Sequence, residues 1–189
     1  RALATLDRHG VRAVIGTPTA TFPPRLVDQF PDMLQIHPSG PTRDYGTRRA
    51  SCYNHAGYRE ASARLAAAIG DHYGNDPRVA GFQVDNELGH EGSDRCVCEN
   101  CRAAWHTWLA AKYGEVAALN AAWGTVFWGA LYERFDQVPV PRDQISSHHN
   151  PGLLLDYDRF SSDSAVAFAD AQVRALRERI APERWITTN

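Results

Sequence analysis

The sequence predicts an α/β fold with a parallel sheet, on three observations. Short apolar or β-prone runs, VRAVIGTPT at 11–19, VAGFQV at 79–84 and WITT at 185–188, read as strands, the first two as buried ones. Segments of helical period lie between them, long enough for right-handed crossovers between parallel neighbours. Polar side chains follow directly on the strand ends, where a parallel sheet presents its ligand crevice.

In chain order, RALATLDR has Leu3 and Leu6 at helical spacing with no cap before it, so the chain reads as starting inside a helix. After the strand at 11–17, Pro23 and Pro24 open a short helix with Leu26, Val27 and Phe30 as its inner face. Residues 31–51 carry three prolines and no sustained period, and are expected to form a long functional loop. From Tyr58 to Tyr73, the apolar positions Tyr58, Ala61, Leu65, Ala68, Ile69 and Tyr73 follow helical spacing and predict a helix, with Gly74 and Asn75 as the stop. AAWHTWLAAKYG and EVAALNAAWG are two helices closed by Gly114 and Gly124. Residues 125–155 look irregular and aromatic. A last helix is predicted over Tyr157 to Ile180, with Phe160, Ser164, Phe168, Leu176 and Ile180 on one side. The whole reads as one internal segment of a larger domain, cut at both ends.

Twenty basic and twenty-two acidic side chains give a net charge of -2 over 189 residues, with no basic run to track a phosphate backbone. Nucleic acid is therefore not an expected partner. No stretch has the apolar length of a membrane-spanning helix, so a membrane is not expected either. Cys96, Cys98 and Cys101 lie too close together for a disulfide framework, which favours metal ligation in a reducing cytoplasm.

Two chemistries sit side by side in GFQVDNELGHEGSDRCVCENC. Asn86 and Glu87 follow a strand, and a glutamic acid beside apolar strand-end groups keeps its proton near neutral pH and serves as a general acid. The plainer role for the same residues is capping the next helix. The thiolates of C-x-C-x-x-C converge on a tetrahedral ion once a fourth ligand is supplied, by Cys52 on the earlier loop or by His90. HEGSD lacks the second histidine of a zinc protease at helical spacing. Trp123 and Trp128 suit either the core or the apolar face of a sugar, and Arg48 and Arg49 suit a hydroxyl or carboxylate.

Six phrases in order, GTPTATFPPRLVDQFPDM, RRASCYNHAGYRE, VDNELG, CVCENCRAAWHTWLAAKYG, LNAAWGTVFW and NPGLLLDYDRFSSDS, resemble the glycoside hydrolase family 42 β-galactosidases. The resemblance covers nearly the whole chain. It implies part of a TIM (β/α)8 barrel, roughly strands two to five with an inserted zinc-binding loop region. VAGFQV would be strand four, 11–17 strand two and WITTN strand five, with strand three near the approach to Cys52. By resemblance Glu87 is the general acid/base of a retaining mechanism, and Arg48, Asn86 and Trp128 contact the sugar. Cys52, Cys96, Cys98 and Cys101 match a four-cysteine structural Zn2+ site. The nucleophile, a second glutamate after strand seven, falls beyond Asn189, so the isolated segment is expected to be inactive. RRASC and NELGHE depart from the family's more familiar RRHYC and NEYG.

The expected function is hydrolysis of terminal β-D-galactosides such as lactose or galacto-oligosaccharides, by a cytoplasmic protein that is a homotrimer at full length. The alternatives are a related glycosidase acting on α-L-arabinopyranosides or β-fucosides, and a noncatalytic zinc-stapled carbohydrate-binding protein.

Overall fold

The computed structural model describes residues 1–143 and 148–189, and of Trp128 the backbone only. Three strands, β1 (Ala13–Gly16), β2 (Val79–Gln83) and β3 (Trp185–Thr187), form a parallel sheet in the order β1-β2-β3. Ile15 pairs with Phe82 and Phe82 with Ile186, so all three strands end on the same side. The described residues also form six α-helices, α1 (Ala2–Arg8), α2 (Pro24–Gln29), α3 (Ala56–Tyr73), α4 (Glu99–Tyr113), α5 (Val116–Trp123) and α6 (Pro151–Arg177), and three short 3-10 turns. A long loop and α3 lead from β1 to β2. A longer excursion carrying α4 and α5, then α6, leads from β2 to β3.

The direct pairing of β1 with β2 corrects the expected strand numbering. No strand lies between them, so if β2 is the fourth strand of a barrel, β1 is the third, and the described residues hold three strands rather than four. The stretch approaching Cys52 forms only isolated antiparallel bridges, Leu34 to Ser51 and Ile36 to Thr42. Pro31, Pro38 and Pro41 explain this, because each removes a ladder donor.

Helix α3 forms where the apolar spacing places it, but the face it buries is only partly the one that spacing traces. Tyr58, Ser62, Ala66 and Gly70 are its buried residues, at i, i+4 spacing, while Leu65 is 38% exposed. Small side chains let α3 approach the chain after α6 closely: a Cβ on Gly70 would lie 2.9 Å from Cβ of Arg179. Leu65 instead lines an open groove of about 270 Å³ with Phe22, Leu26 and Tyr58. The helix starts at Ala56, where the His55 ring nitrogen accepts from the Tyr58 amide.

Helix α6 starts six residues before the predicted Tyr157. The Asn150 side chain accepts from the amides of Gly152 and Leu153, and Pro151 takes the first turn, where its missing donor costs nothing. It stops at Arg177, three residues short of Ile180. At 27 residues it is about 40 Å long and touches all three cores. Val79, Phe82 and Val84 pack on Ala66, Leu176 and Ile180. Met33, Tyr53 and Tyr58 close around Phe168, whose ring stacks on Tyr58 at 5.7 Å. The third core gathers Trp105, Leu109, Leu119, Trp123, Leu153, Tyr157 and Phe160 around the four cysteines. Trp123 is thus a core residue.

Asp156 staples this third core. It is 2% exposed and accepts from Lys112, Tyr113, Trp123 and Arg159, which joins α4, α5 and α6. Burial works against its ionised form, but these hydrogen bonds, with Lys112 the strongest, outweigh it and hold the carboxyl below the usual range. A carboxyl depressed in the folded state contributes stability that is complete above its unfolded pKa of about 3.9, and that is lost as pH falls through the lower folded value. Asp156→Asn is expected to destabilise by about 3 kcal/mol at pH 7, the low end for breaking a buried pair, because Lys112 and Arg159 keep a path to water. The same variant should lose less stability than wild type between pH 5 and pH 2. Urea titrations over that range check both statements.

Candidate active site

The carboxyl ends of the strands bring two loops together, 17–55 after β1 and 84–101 after β2. Glu87 sits four residues past β2, with its side chain 37% exposed. Arg48 reaches it from the other loop, its Nη1 lying 2.9 Å from Oε2 of Glu87. Asn86 Nδ2 donates to the same oxygen at 3.3 Å, and His90 Nδ1 lies 3.9 Å from it. The glutamate therefore has polar neighbours, and the apolar surroundings expected for it are not formed by the described residues.

Arg48 bridges two acids. Its Nη2 and Nε donate to Oε1 of Glu91 at 2.8 and 3.1 Å. That hydrogen bond is the main reason the Glu91 carboxyl lies below its usual range. Glu91 belongs to the HEGSD stretch, which lacks the zinc-protease spacing, and no pattern in the sequence marks it as a partner of Arg48.

Below this surface group lies a buried one. Arg49 and Asp85, each with a side chain 1% exposed, form an ion pair at 3.1 Å. Asp85 also accepts from the Thr19 hydroxyl at 2.6 Å and the Asn86 amide at 2.7 Å, and its own amide donates to Thr17 at 2.8 Å. Thr17 and Thr19 in turn face Gln172 of α6. Among the described residues, the non-glycine positions with positive φ are Arg49, Asp85, Glu87 and Glu91, at 70°, 54°, 51° and 57°. All four lie on these two loops. Such backbone is costly for L-residues and collects where surroundings over-determine it, typically at functional sites.

The cysteines converge as a second centre. Cys52, Cys96, Cys98 and Cys101 are all buried, with sulfurs within 4.8 Å of one another and no disulfide. Cys52 Sγ lies 3.3 Å from Cys101 Sγ and 3.5 Å from Cys98 Sγ. Four thiolates bonded to one tetrahedral ion at about 2.3 Å would stand about 3.8 Å apart, so the set needs only a small expansion to hold it. Cys98 precedes α4 and Cys101 lies in its first turn, while Cys52 arrives from the loop that carries Arg48 and Arg49. Of the two candidate fourth ligands the fold delivers Cys52, and His90 stands beside Glu87 instead. The amide and side chain of Asn54 point N–H groups at Cys52 and Cys101 sulfurs, both at 3.4 Å, the outer contacts that favour thiolates. Hydrogen bonds from neighbouring thiols, Cys101 first, pull the Cys98 thiol well below its usual range. Further contacts brace the same join: the Val97 amide donates to the Ile36 carbonyl, and the Gln35 side chain donates through Nε2 to the Ser51 and Ser93 carbonyls.

The structure thus brings Glu87, Asn86 and Arg48 to one point and the four cysteines to another. The side chain of Trp128 lies outside the described residues; its backbone forms a short 3-10 turn over Phe127–Gly129.

Comparison with known proteins agrees along the entire chain. A β-galactosidase of a Thermus species is 45% identical over 188 residues, which is 100% of this chain and 29% of the relative. The structure of a polyextremophilic β-galactosidase from the Antarctic haloarchaeon Halorubrum lacusprofundi superposes with a TM-score of 0.94 at 41% identity, covering 100% of this chain and 28% of that one. A β-galactosidase from the psychrophilic Marinomonas ef1 gives 0.94 at 40% identity, over 99% of this chain and 28% of the other. The chain therefore spans under a third of the length of these relatives. The profile of the glycoside hydrolase family 42 β-galactosidases matches residues 1–189, and the chain belongs to that family.

Proposed function

We propose that residues 1–189 are one segment of the (β/α)8 catalytic domain of a retaining β-galactosidase, and that Glu87 is its general acid/base. The observation that carries this is the meeting of Arg48, Asn86 and Glu87 at the carboxyl end of the central strand, with Glu87 in a left-handed backbone conformation. The substrates are terminal β-D-galactosides such as lactose and galacto-oligosaccharides. Arg48 and Asn86 orient the sugar through its hydroxyls, with Trp128 as a further wall. Glu87 gives its proton to the departing glycosidic oxygen, while a second carboxylate bonds the anomeric carbon. Glu87 then takes a proton from the water that releases the sugar. The second carboxylate belongs to a part of the protein beyond Asn189 and would stand about 5–5.5 Å from Glu87.

The four cysteines would hold a structural zinc ion. A closed four-thiolate site leaves no position for water or substrate, so such an ion supplies folding energy and no bond cleavage. The inserted loops are then clamped across the site, with Arg48 four residues from one ligand and Glu87 nine residues before another. Reduced cysteines fit a cytoplasmic protein, and the full-length form is a homotrimer with neither nucleic acid nor membrane as partner.

The test is a panel of nitrophenyl glycosides on the full-length protein. Hydrolysis of the β-D-galactoside in preference to the β-fucoside and α-L-arabinopyranoside is expected. A folded protein inert on all three would overturn the reading and favour a zinc-stapled sugar-binding protein.

A further inference from the structure

We propose that the buried Arg49–Asp85 pair is a positioning device: it sets the backbone of Glu87 and the reach of Arg48, and through them the protonation of the leaving group. The inference rests on the reading of Glu87 as acid/base under the proposed function.

Asp85 is fixed on every side. Its amide is held by Thr17, one oxygen by Arg49 and the Asn86 amide, the other by Thr19. The bond from its carboxylate to the next amide fixes the peptide that leads into Glu87. Arg49 is fixed too, because its amide donates to Ala20 O at 2.8 Å. Since Arg48 is its chain neighbour, holding Arg49 against Asp85 fixes where the Arg48 guanidinium begins. One ion pair therefore sets both partners of the Arg48–Glu87 contact, each from a left-handed backbone position next to or two residues from it.

The pair is poorly designed for stability alone. Arg49 leaves Nε and Nη2, on one edge of its guanidinium, without a partner, and Gln172 Nε2 is likewise unpaired. An apolar pair of similar volume commonly does as well or better in a buried setting, whereas a directional ion pair enforces one geometry. Placement is the property that this pair supplies and an apolar pair does not.

In the first chemical step the bond from C1 to the leaving oxygen breaks as the Glu87 proton moves to that oxygen and the second carboxylate bonds C1. A leaving group that departs as a stable anion needs no proton, whereas an alkoxide does. Misplacing the acid therefore slows poor leaving groups selectively.

The experiment measures kcat/KM of the full-length protein for 2,4-dinitrophenyl β-galactoside and for lactose, in wild type, Asp85→Asn and Glu87→Gln. Asp85→Asn is expected to lose about 100-fold on lactose, the scale of an ångström-size misplacement, and less than about threefold on the dinitrophenyl substrate. Glu87→Gln should show the same selectivity more strongly. Equal loss on both substrates, or no loss on either, overturns the positioning role. Should Asp85→Asn fail to fold, Thr19→Val decides, since it removes the 2.6 Å hydrogen bond and keeps the ion pair. It is expected to show a smaller selective loss on lactose, and an equal or absent loss overturns the proposal in the same way. Wild type inert on both substrates would instead sink the galactosidase reading itself.

Discussion

Glu87→Gln in the full-length protein is expected to lower kcat on 4-nitrophenyl β-galactoside by about 10²- to 10⁴-fold, the usual contribution of a general acid/base, while leaving the fold intact. The fold should survive because the Glu87 side chain is over a third exposed and packs in none of the three cores. The amide introduced at this position can still face Asn86, but it carries no charge for Arg48 and no proton for the leaving oxygen. Loss of the base slows release of the covalent sugar more than its formation on an activated substrate, so KM should fall together with kcat. Azide, which attacks the anomeric carbon without needing a base, should restore turnover and yield a β-galactosyl azide. Circular dichroism and thermal melts establish that the variant is folded. A folded Glu87→Gln protein that turns over at the wild-type rate would remove Glu87 from the chemistry, and with it the central claim of the proposed function.

How much of this is legible in the sequence differs from residue to residue, for physical reasons. The runs at 13–16, 79–83 and 185–187 read correctly as strands, because strands in a parallel sheet are short and apolar. The burial expected of the first is not found: β1 stands at one end of the order β1-β2-β3 and alternates half-buried and exposed residues, with Val14 46% exposed. The cysteines are equally legible, since C-x-C-x-x-C constrains its own geometry. Spacing does not decide the fourth ligand: Cys52 is 44 residues from Cys96, and only the bridging of the two loops selects it over His90. The start of α6 at Pro151 does carry a local signal, Asn150 followed by Pro151, a cap and a first-turn residue, which outweighs the apolar period that begins at Tyr157. The inner face of α3 carries none in its apolar period, because close approach runs through the small Ser62, Ala66 and Gly70 and leaves the larger Leu65 outside. Of the candidate site, Glu87 and Asn86 can be picked out by their place after a strand, whereas Arg48 is told from Arg49 only by the family resemblance. The roles of Arg49, Asp85 and Glu91 cannot, because each depends on a partner at least 36 residues away and on left-handed backbone that glycine would normally supply.

Replacing Cys98 by serine is expected to remove metal from the full-length protein and to destabilise it far more than any surface substitution. Apparent binding energies of structural zinc are on the order of 10 kcal/mol in small domains, and that energy is available only to the folded chain. Here the four sulfurs lie inside the core built on Trp105 and Tyr157, and they join the loop that carries Arg48 to the loop that carries Glu87. Loss of the ion leaves buried thiols with little else to hold these loops besides Gln35 and a few backbone bonds. Calorimetry beside elemental analysis should therefore show loss of metal together with a lower melting temperature in Cys98→Ser or after chelation. Activity should fall with the folded fraction, and what remains should keep the wild-type dependence on pH, since a closed site offers no water to titrate. A chelated protein that melts as before but has lost a titrating nucleophile would put the metal in the chemistry and overturn the division between Glu87 and the cysteines. One that loses metal, stability and activity together, and regains all three on adding zinc, would show that the clamp acts on the site only by holding it.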